Sequence, residues 1–320
     1  LFTLKTLLLE QSYGGLPGRW DEIEAVSLEA LAEGSKQPRL EFADIARIQG
    51  GLVHVKLVRS QFDEAQKIAR ESLAARLRLY GPEHPETAWG HYLLGEALRG
   101  KRNFSEAMQA HKQTLALMRK IFSPEQKNIA TALSAVIRTL ELAGQSQAVT
   151  NLFPSGDELN ELEASFREVL AKTKPSTLDS DDPVVVAVRG LAGFSEIRLR
   201  LNHELAATGQ HREAEESRAA AIMLLENLET QFAGNPNLLA QVYGYGAIAL
   251  MKGGQRQPAL DFCRKLLNRV TPKKGGLHNH VAWFLATAEN PAQRAPALAV
   301  ELAQKAVEAN PQSTNHRNTL

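Results

Sequence analysis

A chain of 320 residues that is 43% hydrophobic and 23% charged, with 22 Gly and 14 Pro, lies in the ordinary soluble range, which excludes collagen-like, wholly disordered and disulfide-scaffold chains. Lys plus Arg is 37 against 36 Asp plus Glu, so the net charge of +1 supplies no global field toward nucleic acid or anionic lipid. Cys263 is the sole cysteine, so no intrachain disulfide can form, and a reducing, cytoplasmic setting is the expectation.

The opening LFTLKTLLLE is apolar but only about ten residues long, too short to span a bilayer, and it lacks a basic n-region and a cleavage site. It reads as the middle of a longer chain, and no later stretch is apolar for long enough to make the chain integral to a membrane. From Trp20 onward a period sets the organisation. Trp20-Asp-Glu-Ile23, Phe62-Asp-Glu-Ala65 and Phe104-Ser-Glu-Ala107 follow one another at offsets of 42, and Gly81-Pro-Glu-His-Pro85 recurs at the same offset as Ser123-Pro-Glu-Gln-Lys127. Between the markers, Ala88, His91, Leu94, Gly95 and Leu98 have helical spacing, as do Ala107, Ala110, His111, Leu115 and Met118, so each unit is a helical hairpin. Gly81 suits the left-handed residue that stops a helix, and Pro85, lacking an N–H, suits the first turn of the next. Gly95 against Ala107 is expected to let the two helices of a hairpin approach closely, with Phe104 and Leu94 filling the wider parts.

Past residue 144 the period loosens. Gln145 to Phe153 gives a short helix, Pro154-Ser-Gly156 breaks it, and Asp157 caps a helix to about Lys172. Lys174 to Pro183 reads as an exposed, hinge-like loop. Hairpins resume with Pro183 to Ala207 and a helix from His211 to about Phe232. Pro236 to Met251 follows, then a helix with Pro258 near its start, then Leu277 to Ala288 paired with Ala297 to Ala309. His316 to Leu320 looks like the start of another first helix. The domain reading is an array over 1–153, an irregular break with one helix and a linker over 154–182, and a second array over 183–320 that is cut short.

A search for chemistry returns little. There is no Gly-rich loop after a strand, no Val-Ala-Ile-Lys, no His-Arg-Asp and no Asp-Phe-Gly; Asp261-Phe262-Cys263 sits inside a helical pattern. Gly244-Tyr-Gly246 lacks a preceding strand and a third glycine, so it reads as close helix packing. His278 and His280, two apart on a helix, diverge by about 200° and share no metal. Asp179, Asp181 and Asp182 lack the Gly and closing Glu of a calcium loop and read as a polar loop with a helix cap. Cys263 reads as a small buried hydrophobe. Neither a catalytic residue nor a cofactor or metal site is read from the sequence, and the chain is expected not to be an enzyme.

These residues resemble the tetratricopeptide repeat. Leu94, Gly95, Leu98 and Ala107 match its pattern in one unit, as do Val281, Ala282, Leu285, Ala299, Ala303, Ala306 and Pro311 in another; the 42-residue period with GPEHP between units is similar to the kinesin-light-chain type. The resemblance implies an all-α, right-handed superhelical solenoid of antiparallel hairpins whose first helices line a concave face. Asn279 to Thr287 with Ala299 to Pro311 and Asn318 to Leu320 is similar to the repeat tail after the catalytic domain of some large bacterial Ser/Thr protein kinases. That likeness makes a substrate-recruiting kinase tail the alternative reading.

Counting Ala88 as the first position of its repeat, the resemblance puts Trp89, Tyr92, Glu96 and Arg99 on the concave face. Arg47 and His54 are their counterparts in the preceding repeat, and Arg138 in the following one. Arg47, Arg99 and Arg138 would then be placed to pair with acidic side chains or a terminal carboxylate, while Trp89 and Tyr92 offer aromatic anchors. The Asn pair that family members use to hold a peptide backbone is replaced by Tyr92-Leu93, Gly50-Gly51 and Ser134-Ala135, and only Asn279 matches. The expected partner is a protein or peptide segment, with self-association possible and nucleic acid excluded by the near-zero charge balance.

Overall fold

The computed structural model describes residues 20–34, 42–123, 126–143, 156–175, 182–268 and 276–319. Among them every regular element is helical: α1 (Trp20–Gly34), α2 (Phe42–Val58), α3 (Phe62–Tyr80), α4 (Pro85–Gly100), α5 (Phe104–Ile121), α6 (Lys127–Ala143), α7 (Gly156–Lys172), α8 (Pro183–Ala207), α9 (His211–Gln231), α10 (Pro236–Lys252), α11 (Arg256–Leu267), α12 (Gly276–Thr287), a 3-10 turn (Pro291–Gln293), α13 (Pro296–Ala309) and α14 (Thr314–Thr319). The expected all-α hairpin architecture is what the chain adopts. The opening apolar segment, the expected helix over 145–153 and residues 176–181 of the expected loop lie outside the described residues.

Two compact units divide the chain, Leu1–Ser123 with Ser134–Ala143, and Pro124–Leu133 with Gly144–Leu320. In the first, α2 pairs with α3 and α4 with α5, α1 lies against α2, and α2 also meets α4. In the second, α8 pairs with α9, α10 with α11 and α12 with α13, the first helices α8, α10 and α12 touch in succession, and α7 lies on α8.

The 42-residue marker has a local cause. Trp20, Phe62 and Phe104 are the first residues of α1, α3 and α5. The turns before α3, α5, α9 and α11 share one geometry: Ser60, Arg102, Gly209 and Gly254 take positive φ (59°, 61°, 83° and 76°). The residue after each, Gln61, Asn103, Gln210 or Gln255, donates its N–H back to Lys56, Leu98, Leu205 or Leu250 O at 2.9, 3.0, 2.9 and 2.8 Å. This is the wide six-to-one closure that satisfies a carbonyl left over at a helix end. Between hairpins the GPEHP string does different work. Gly81 (φ 80°) closes α3 by donating to Leu77 O, and Pro85 opens α4. His84 Nδ1 accepts the Glu86 N–H at 3.2 Å, and Thr87 Oγ1 donates to Gly81 O at 2.7 Å.

Small residues set the helix separations. Ala65, Ala69, Ala97 and Val53 form one fully buried cluster in the first unit. The space opposite Gly95 is filled by His111, not by Ala107 as the sequence suggests: a Cβ at Gly95 would stand 2.5 Å from the His111 ring. An imidazole wedged into a hairpin needs that missing methyl, and Ala107 is buried elsewhere in the same helix as His111. In the second unit Gly190 on α8 receives the Phe166 ring of α7, 2.1 Å from where a Cβ would lie, with Phe194 edge-on behind it at 5.2 Å.

The α7–α8 contact also encloses a charge centre. The Glu163 side chain, 8% exposed, is held by Arg198 at 2.8 and 2.9 Å and by Arg167 at 2.7 and 2.9 Å. Asn160 Oδ1 takes a further Arg198 hydrogen at 2.8 Å. Every strong acceptor there has a donor at bonding distance, as a buried carboxylate requires.

Candidate functional site

In the first unit, α4 carries Trp89, Tyr92, Glu96 and Arg99 along one stripe, the i, i+3, i+7, i+10 spacing of a single helix face. The two rings meet edge-on at 5.1 Å. Glu96 is the hub. Its side chain is 11% exposed; Arg99 donates to it from Nε at 3.3 Å and from a terminal nitrogen at 2.5 Å. Arg138 on α6 approaches the same carboxylate only to 3.8 Å and gives Tyr92 Oη one long hydrogen bond at 3.5 Å. His111, from α5, completes the hub with Nε2 at 3.5 Å from Glu96 Oε1.

The sequence reading missed His111 as part of this face, having placed it in the hairpin core; it is both. Its ring is fully out of solvent, and neither ring nitrogen has a hydrogen-bond partner. Burial, helped by Arg99 and Arg138 and opposed by Glu96, pushes its pKa down to about 4, so the ring is neutral at physiological pH. Tyr92, desolvated and close to Glu96, has its phenol raised above the usual range. Arg138 remains 43% exposed, yet its Nε is buried and unpartnered.

The remaining expected residues fall elsewhere. Arg47 is exposed on α2. His54, also on α2, is solvent-facing with its ring 5.6 Å from Trp20; desolvation lowers its pKa while the Glu96 charge raises it, which puts it within the field of the hub. Asn279 belongs to the second unit, half-buried on α12 with its Oδ1 out of solvent and unpartnered. Of the three expected cations, Arg99 is already closed by Glu96.

The other sequence features resolve simply. Asp261, Phe262 and Cys263 lie within α11, and burial drives the Cys263 thiol up to about 12, leaving it unreactive. A Cβ at Gly244 would meet Leu277 and one at Gly246 would meet Phe262, so both glycines serve helix packing. His278 is buried against Leu266 O and His280 is exposed, on different sides of α12. Asp182 caps α8 through Val184 N at 2.9 Å. Among the described residues no three His, Cys, Asp or Glu side chains gather as a metal site, and no helix is long and apolar enough to cross a membrane.

Comparison with known proteins finds a family match over part of the first unit. Residues 44–120 match the tetratricopeptide repeat model. Tetratricopeptide repeat protein 23 of Bos taurus is 29% identical over 113 residues, 35% of this chain and 25% of the bovine protein, so the match spans about a quarter of that relative. Among solved structures, the kinesin light chain nearly identical TPR-like repeats of Podosopora anserina align with a TM-score of 0.45 at 21% identity, covering 71% of this chain and 95% of that one. BtubC (BKLC) from P. vanneervenii aligns with a TM-score of 0.40 at 15% identity, covering 66% of this chain and 75% of that one.

Proposed function

We propose that this chain, which carries tetratricopeptide repeats over 44–120, is a non-catalytic scaffold that holds an extended protein segment on the face built from α2, α4 and the Ser134–Ala143 part of α6. The observation that carries this reading is Arg138: a half-exposed guanidinium with a buried, unpartnered Nε, one long hydrogen bond, and the Trp89–Tyr92 edge beside it. A carboxylate seated there gains a charge-assisted donor, and its flanking side chain gains aromatic surface that is already held rigid, so little entropy is lost on binding. The ligand class is a peptide with an acidic side chain or a free terminal carboxylate. Neither a cofactor nor a metal takes part.

Fluorescently labelled short peptide pools, degenerate except for one fixed central residue, test this directly. The Glu pool is expected to bind tenfold or more tightly than the matched Gln and Lys pools, and Arg138→Gln with Trp89→Ala is expected to abolish that preference while the circular dichroism spectrum stays unchanged. Equal binding of all three pools, or a preference that survives the double substitution, defeats the assignment of the site.

A further inference from the structure

Glu96 is an unusual occupant for such a face, because it offers Arg138 the same chemistry that a ligand would bring. We infer that Glu96 is a built-in competitor for the Arg138 seat, and that an external carboxylate displaces it with uptake of one proton at His111. This deepens the proposed function and rests on it.

The hub is a centre left partly open. In the α7–α8 contact, Glu163 is closed by two arginines at 2.7–2.9 Å. At Glu96 only Arg99 is closed; Arg138 stands off at 3.8 Å and His111 Nε2 at 3.5 Å, both on Oε1. Oε1 thus faces a second arginine donor and, at His111 Nε2, a nitrogen that can donate to it only once that nitrogen carries a proton, and Arg138 can turn outward without leaving Glu96 bare, since Arg99 keeps its two contacts.

A ligand carboxylate on Arg138 and the Tyr92 hydroxyl brings a second negative charge next to Glu96 in a partly dry site, where like charges repel strongly. The charged and titratable groups that reach His111 are Tyr92, Glu96 and Arg99 from α4 and Arg138 from α6. The two arginines oppose protonation of the ring and Glu96 favours it. The ligand adds to the Glu96 side of that balance and draws off the field of Arg138. A proton from solvent then adds to the ring-nitrogen lone pair at Nε2, the 3.5 Å approach becomes a charge-assisted hydrogen bond to Glu96 Oε1, and no covalent bond is broken. The fully buried ring, with neither nitrogen hydrogen-bonded, holds an unused acceptor site for that proton, and the His111→Gln profile separates uptake there from uptake on Glu96 itself.

The test measures affinity for the Glu-fixed pool by fluorescence anisotropy from pH 8 to pH 5.5. It uses a His54→Gln background, so that the exposed imidazole near the hub does not contribute. Affinity is expected to rise several-fold per pH unit, toward the tenfold-per-unit limit of one proton taken up. Glu96→Gln is expected to bind at pH 8 about as tightly as the parent binds at pH 5.5, with a flat profile, and His111→Gln to bind weakly with a flat profile. Histidine-ring NMR of the parent reads the same event without a core substitution: one imidazole passes to the imidazolium position when the Glu pool, but not the Gln pool, is added at pH 6. A flat parent profile with the Glu preference intact, or a sloped profile that survives in His111→Gln, overturns this inference and leaves the proposed function standing. Absence of any Glu preference at every pH overturns both.

Discussion

Glu163 and Glu96 are each a nearly buried carboxylate between two arginines, on the surfaces where neighbouring helices meet, and they differ by about one ångström at the second arginine. At Glu163 both guanidinia are in bonding range, Asn160 takes the spare hydrogen, and the centre fastens α7 to α8. At Glu96 the second guanidinium stands off at 3.8 Å, and an imidazole that makes no hydrogen bond approaches the same oxygen at 3.5 Å. A saturated ion centre stabilises a packing; one with spare donors and a half-exposed arginine is arranged to accept something else.

The sharpest way to break that contrast is to remove each carboxylate. Glu163→Ala leaves Arg198, 14% exposed, without its counter-charge, and is expected to cost about 3–5 kcal/mol in urea unfolding. Glu96→Gln is expected to cost less, about 1–2 kcal/mol, because the amide oxygen can still accept from Arg99 and Arg138 can reach water. Equal losses would mean that the Glu96 hub is structural too.

A pH series separates the centres next. The unfolded chain protonates His111 near pH 6.5, whereas the folded chain does so only near 4. Stability is therefore complete above about pH 6.5 and falls as the pH drops toward 4, by about 3 kcal/mol for this one group. His54, His91 and His278 are also lowered by burial and act with the same sign. The parent-minus-His111→Gln difference in unfolding free energy isolates the His111 share, and a difference that does not change with pH would remove this residue from the hub.

The glycine contacts sharpen the comparison further. Gly190→Ala is expected to cost about 1–3 kcal/mol, since Phe166 is backed by Phe194 and has nowhere to go. Gly95→Ala is expected to cost a similar amount or less, but it should in addition alter the ring NMR signal of His111, which has no counterpart at Glu163. The smallest effect is at the hairpin turn. Ser60 holds φ at 59°, a region where glycine has no penalty, so Ser60→Gly is expected to raise the thermal midpoint slightly, by about 0.5–1 kcal/mol in stability.

How much of this was legible in the sequence depends on how local the cause is. The hairpins were legible because their stops and starts are local: Gly81 and Pro85 punctuate α3 and α4 as expected, and Pro183 to Ala207 is α8 to the residue. The Ser60 and Arg102 turns were not, because neither residue type advertises positive φ; only backbone closure onto Lys56 and Leu98 imposes it. At the site, the α4 stripe followed from helical periodicity and the repeat resemblance. The capture of Arg99 by Glu96 was in principle legible from their i, i+3 spacing. The role of His111 was not, since it depends on one missing methyl at Gly95 across a hairpin, and the difference between Glu96 and Glu163 lies in distances that no spacing encodes.

The repeated turn has a mechanical consequence. Each of the four closes on a carbonyl five residues back, so each of those hairpins carries its own latch. Pulled from its ends, the chain should yield in discrete steps, one hairpin at a time. In the first unit each step releases roughly 42 residues, on the order of 140 Å of extended length, so that resistance to force resides in the seams between hairpins.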